Sequence, residues 1–134
     1  MDKTNIKVDF SIIGDTLHPC IATEQLKINP QKSWVKGDDI EGRSFKRKDT
    51  CWVISTEYEE SLDINEQLLK VVAILEDKQK KLIELKRTYN VDYLFGIVVN
   101  IESNEKPTMY FDSKFIEFAH DIQAEFYIDL YIFS

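Results

Sequence analysis

Residues 93–102 place the strongest constraint on this chain. Leu94, Phe95, Ile97, Val98 and Val99 make the stretch apolar on both of the faces that an extended backbone presents. A strand with no polar side belongs inside a sheet rather than at its rim. The other segments must therefore supply its neighbours and its cover.

Two segments have the alternation of half-buried strands. Ile6, Val8, Phe10 and Ile12 alternate with Lys7, Asp9 and Ser11, and Gly14-Asp15 ends the run. Near the other end, Phe126, Ile128, Leu130 and Ile132 alternate with Glu125, Tyr127, Asp129 and Tyr131. Residues 51–58 read as a further strand with Trp52, Ile54 and Tyr58 on one face. Residues 31–36 make a short strand around Trp34, and 108–111 a short return strand after the turn at 103–107. Residues 41–49 are polar and charged, and read as an exposed basic loop.

Helices fill the gaps. Pro19 suits a first helical turn, with His18 or Thr16 as cap, and Asn29-Pro30 stops the helix because the residue before a proline avoids helical geometry. Asp63-Ile64-Asn65-Glu66 has the form of a capping box. Ile64, Leu68, Val71, Val72 and Leu75 follow at helical spacing. Leu82, Leu85 and Tyr89 resume the period beyond a polar run, which predicts one long helix or two broken near Asp77, closed by Asn90. Asp112 or Ser113 caps a last helix carrying Phe115, Phe118 and Ile122. The expected order is β-α-β-β-α-β-β-α-β. Residues 1–134 should form a single α+β domain, an antiparallel or mixed sheet with helices packed on one face.

The spacing of several short elements resembles a family of small bacterial proteins, domain of unknown function 4279. These elements are Val8-Asp9-Phe10-Ser11-Ile12-Ile13-Gly14-Asp15, Leu17-His18-Pro19, Leu26-Lys27-Ile28-Asn29-Pro30 and Trp34-Val35-Lys36-Gly37-Asp38. Trp52 at the start of its strand and the closing Ile128-Asp129-Leu130-Tyr131 complete the likeness. The resemblance spans nearly the whole chain and implies a shared fold. It implies no activity and no catalytic residues.

Charge narrows the function. The chain carries 17 Lys and Arg against 24 Asp and Glu, a net charge of -7. That balance disfavours a surface that binds nucleic acid or anionic membrane as a whole. Local blocks stand out against it. Arg43, Lys46, Arg47 and Lys48 give the loop a charge of +4, with Trp34 and Trp52 nearby in sequence. Basic residues among aromatics can track single-stranded nucleic acid, yet the rest of the chain is then 13 against 24, or -11. A solvated loop or an acidic partner fits better, and both tryptophans read as core.

His18, Cys20, Cys51 and His120 lack the spacing of a zinc site, so no metal is expected. The four glycines are scattered, so no phosphate loop and no cofactor is expected. No apolar run approaches the roughly 18 residues of a membrane span, and the first residues hold no secretory apolar run. The expected location is cytoplasmic.

The candidate surface has two parts. If the first and last strands are neighbours, Asp9 and Asp129 share a polar face with Lys7, Ser11, Tyr127 and Tyr131. Two carboxylates there do acid–base work only if one pKa is raised, whereas the tyrosines are either exposed interface anchors among charges or are covered by a second layer such as the helix 64–89. The second part is Trp34 with Arg43, Lys46 and Arg47. The sequence therefore reads as a non-enzymatic cytoplasmic protein-interaction module, of the immunity or antidote type, with another protein as partner. Two other readings stand beside it. One is a small-molecule binder or minor enzyme at Asp9 and Asp129, and the other a weak single-stranded nucleic-acid binder through 43–48.

Overall fold

The computed structural model describes residues 3–133. Its elements, in chain order, are β1 (Asn5–Ile13), α1 (Pro19–Leu26), β2 (Lys32–Trp34), β3 (Cys51–Ser55) and β4 (Glu59–Glu60). They are followed by α2 (Ile64–Leu75), a 3-10 turn (Glu76–Lys78), α3 (Gln79–Tyr89), β5 (Asp92–Ile101), α4 (Ser113–Asp121) and β6 (Glu125–Ile132). The strands form one mixed sheet in the order β2-β3-β1-β5-β6, with β4 also on β1. All pairings are antiparallel except β5 with β6, which α4 links in parallel. This is the α+β single domain expected.

Alternation decides which face is covered. Ile6, Val8, Phe10 and Ile12 of β1 join Tyr93, Phe95, Ile97 and Val99 of β5 in one buried cluster. The helices complete it with Leu26, Leu68, Val72, Leu82 and Phe115. Phe10, Phe95 and Phe115 pack through it at 5.0 Å centroid spacings, the first pair tilted and the second edge to face. Trp52 is buried as expected, and its indole N–H donates to Thr23 Oγ1 on α1 at 3.0 Å, which keeps a buried donor satisfied.

The caps follow the sequence closely. Side chains of His18, Asp63 and Asp112 accept from backbone N–H groups two residues on, and Asn90 closes α3 in a left-handed conformation. The capping box is only half made, because the Glu66 carboxylate accepts from the Ser61 hydroxyl instead of reaching back to Asp63. The helical region is two helices, divided at the 3-10 turn that contains Asp77.

Three expectations need correction. The element order differs, because 108–111 is not a strand. Thr108 makes a single bridge to Asp63, and the buried Asn65 side chain donates to Tyr110 O and accepts from Asp112 N–H. Those bonds tie the segment to the start of α2 rather than to the sheet. Second, the strand beginning at Cys51 is interrupted. Three residues, 56–58, stand opposite Val8 and Lys7 between the paired positions Asp9↔Ser55 and Ile6↔Glu59, a β-bulge with Glu57 at φ +58°. Third, β5 lies inside the sheet between β1 and β6, but is fully buried on the helix side only. Its even-numbered residues Leu94 and Val98 are half-buried on the side opposite the helices.

Candidate functional site

That second side of the sheet carries the candidate residues. The first and last strands are not neighbours, since β5 lies between them. The registers nonetheless align three rows across the strands: Asp9, Gly96 and Tyr127; Lys7, Val98 and Asp129; Asn5, Asn100 and Tyr131. The missing side chain at Gly96 allows Tyr127 to lie across the intervening strand. Its Oη stands 2.6 Å from the point where a Cβ on residue 96 would be. The phenol pKa is raised, first by burial and then by the negative charges of Asp129 and Asp9. The charges of both carboxylates thus act on Tyr127.

Asp9 is half-buried. Its Oδ2 lies 3.8 Å from Lys7 Nζ, while Oδ1 is buried with no hydrogen-bond partner. Lys7 also sits 4.8 Å below the ring centroid of Tyr58. The bulge explains that contact: its extra residue reverses the alternation beyond Ser55. Tyr58 therefore leaves the face of Trp52 and Ile54 and crosses to the open side, exposed over Lys7.

The second candidate group lies at the opposite edge of the same face. Trp34 is half-buried rather than core, because β2 is an edge strand. The Arg47 guanidinium covers it at 3.9 Å from the ring centroid. Lys46 is paired with Asp39. Arg43 is exposed, and its backbone N–H donates to Ile40 O. Two of the loop's four cations face partners outside it, Arg47 on Trp34 of β2 and Lys46 on Asp39.

The cysteines show little activating chemistry. Cys20 is exposed, but His18 Nδ1 accepts from its backbone N–H rather than engaging the thiol. Burial pushes the Cys51 thiol pKa up, away from the thiolate form. Among the described residues no three His, Cys, Asp or Glu side chains gather closely enough to hold a metal ion. Among the described residues no helix is long and apolar enough to cross a membrane. A cleft of about 380 Å³ runs between the start of α1 and β2, lined by His18, Cys20, Thr23 and Trp34 among others. None of the five described clefts is lined by Asp9, Tyr127 or Asp129.

The largest feature is the outer strand. β6 ends the sheet, and six of the twelve exposed large hydrophobic residues fall within 126–133. Tyr127 and Tyr131 are exposed on the open face. Phe126, Leu130 and Ile132 point to the helix side, yet they are exposed too, with Ile132 at 72%. Phe126 packs on Phe111 and Phe115, but this cover stops short of Leu130 and Ile132. The Phe133 N–H donates to Ile101 O at 2.9 Å, so odd-numbered residues of β6 bond to β5. Strand alternation then turns the N–H and C=O groups of Phe126, Ile128, Leu130 and Ile132 outward, away from the sheet.

Sequence reading names Tyr127, Asp129 and Tyr131 for this face, but neither Gly96 nor the apolar residues of β6, and it sets Tyr58 on the face of Trp52 and Ile54. Gly96 had a signal, since a glycine inside a strand often marks a close approach. Tyr58 had none, because one inserted residue changes its face.

The family described as Domain of unknown function (DUF4279) matches residues 4–133, nearly the whole chain. No curated protein and no solved structure matches it.

Proposed function

The chain belongs to the family described as Domain of unknown function (DUF4279), and on that premise we propose that it is a protein-interaction module whose partner adds a strand along the free edge of β6. In this reading it catalyses nothing and works in the cytoplasm, as an antidote-like partner of another protein.

One observation carries the proposal. β6 is eight residues long, ends the sheet and exposes apolar side chains on both faces. Proteins normally blunt such an edge with charge, proline or a bulge, because its unpaired backbone groups template pairing with another chain. The other edge, β2, is three residues long and includes Lys32. β6 carries Glu125 and Asp129 but no proline and no lysine. Strand addition would satisfy its outward backbone groups and bury Leu130 and Ile132 in one step.

The small-molecule or enzyme reading has less support. Tyr127 fills the space above Gly96, and the face around Asp9 and Asp129 is a platform rather than one of the described clefts.

The test uses Leu130→Pro, which removes an outward N–H without touching the bonds to β5. A partner recovered from host lysate is purified and mixed with each form, and amide exchange is read along β6. Slowed exchange at Phe126, Ile128, Leu130 and Ile132, with binding lost in L130P, is expected. A partner that binds L130P as well as the parent chain, or one that leaves β6 exchange unchanged, overturns the proposal.

A further inference from the structure

Strand addition at β6, on which this inference rests, leaves open what kind of strand is added. We infer that it is amphipathic, with basic side chains toward Tyr127 and Asp129 and apolar ones toward Leu130 and Ile132.

Charge complementarity carries the argument. From residue 115 to 133 the chain contains Glu117, Asp121, Glu125 and Asp129 and no lysine or arginine. On β6 itself, Glu125 and Asp129 lie on the open face, in the same set as Tyr127 and Tyr131. In a paired strand, the residue directly opposite Asp129 projects to that same face, and the tyrosines lie two positions to either side. A lysine or arginine there would meet the Asp129 carboxylate, with the exposed Tyr131 ring two positions along. Behind this row stands Asp9, whose Oδ1 is buried without a partner and whose charge already acts on Tyr127. The cation nearest to that group, Lys7, is already held by Asp9 Oδ2 and the Tyr58 ring. Among the described residues no ion pair reaches Asp129 or Glu125, so an incoming cation would meet carboxylates that no cation of this chain already holds.

The opposite side of the added strand faces different chemistry. Leu130 and Ile132 are exposed beyond the reach of α4, so valine, isoleucine or leucine at the alternate positions would extend the core outward. A second copy of this chain fits less well. It would bring two acid-only segments together, and antiparallel pairing centred on Asp129 would set like charges directly opposite.

The test uses synthetic peptides of about ten residues, the length of a typical long strand. One alternates lysine with valine, and its twin has threonine at each lysine. Binding is read by fluorescence anisotropy at low salt, and again at about 1 M salt, where screening reaches only about 3 Å. The lysine peptide should bind about tenfold tighter than its twin at low salt, with the advantage shrinking at high salt. Asp129→Asn should weaken the lysine peptide about threefold and leave the threonine peptide unchanged. L130P should lose both.

Equal affinity for the two peptides, with both lost in L130P, overturns the basic character and leaves strand addition standing. Binding of neither peptide, or no loss in L130P, overturns strand addition itself. Sedimentation of the free chain as a dimer that L130P dissociates would make the occupant a second copy and overturn the basic strand.

Discussion

Tyr127 lies over Gly96, with its Oη 2.6 Å and its Cζ 2.9 Å from the position of an absent Cβ. The contact exists because residue 96 has no side chain, so Gly96→Ala should lift the ring off the sheet. The obstructing atoms are the far end of an exposed side chain, so the cost to stability should stay below about 1 kcal/mol. Released from the sheet and moved away from Asp9, the phenol should titrate lower, back toward the ordinary value of 10.0. Absorbance titration near 295 nm, compared with Tyr127→Phe to identify the signal, checks this. An unchanged titration in G96A would show that the glycine does not set the ring's position.

Tyr93 offers a second titration with an opposite location. It is buried, its hydroxyl donates to Leu82 O, and burial raises its pKa far above that of a free tyrosine. In the unfolded chain the same phenol ionises near pH 10. The contribution is therefore complete below about pH 10, where both states hold the proton. Above it the unfolded state alone loses the proton, and stability falls by about 1.4 kcal/mol per pH unit. Tyr93→Phe should cost about 1 kcal/mol near neutrality through the lost hydrogen bond. It should also flatten the alkaline decline, so the two stability curves converge above pH 10. Parallel curves in urea melts would contradict the assignment.

The bulge before β4 places a non-glycine residue at positive φ. Glu57 adopts φ +58°, where an L side chain crowds its own backbone. Glu57→Gly should relieve that crowding, offset in part by the greater freedom of glycine in the unfolded chain, for a net gain of about 0.5 kcal/mol. Glu57→Val, β-branched at the same position, should lose more than about 1 kcal/mol. Denaturant midpoints with unchanged slopes would show both effects. A destabilised glycine variant would mean that the Glu57 side chain contributes more than its backbone costs.

Elements whose signals are local were readable in advance. The alternation around Phe10, the helical spacing from Ile64 to Leu75 and the caps at Asp63 and Asp112 all report short-range chemistry, and the structure realises them. The candidate face was legible in its residues but not in its geometry, because alternation assigns a side and not a neighbour. Asp9 and Asp129 do share a side, yet only the strand order shows β5 between them, and only Gly96 lets Tyr127 span it. Tyr58 went to the wrong face because a bulge shifts the period by one residue. The segment at 108–111 escaped because a distant side chain, Asn65, claims its backbone groups. The exposure of Leu130 and Ile132 depends on how far α4 reaches, a property of packing that no window of sequence contains.

The Trp34 and Arg47 pair predicts how the basic loop behaves. The guanidinium stacks on the indole at 3.9 Å, and the backbone clamps the same point: Gly37 N–H donates to Arg47 O, and Arg47 N–H to Asp38 O. Arg47→Ala removes the stack but leaves the clamp, so it should cost about 0.5–1 kcal/mol rather than unfold the domain. Trp34 emission should shift to the red and become more open to acrylamide, while buried Trp52, bonded to Thr23, reports no change. Arg47→Lys separates charge from shape, because an ammonium keeps the charge and loses the planar stack. It should restore only part of the shielding. Full rescue by lysine would mean that charge alone holds the loop, leaving Arg47 free to serve a polyanion. Partial rescue would mean that the arginine is committed to Trp34, which leaves fewer cations for single-stranded nucleic acid than the run from 43 to 48 advertises.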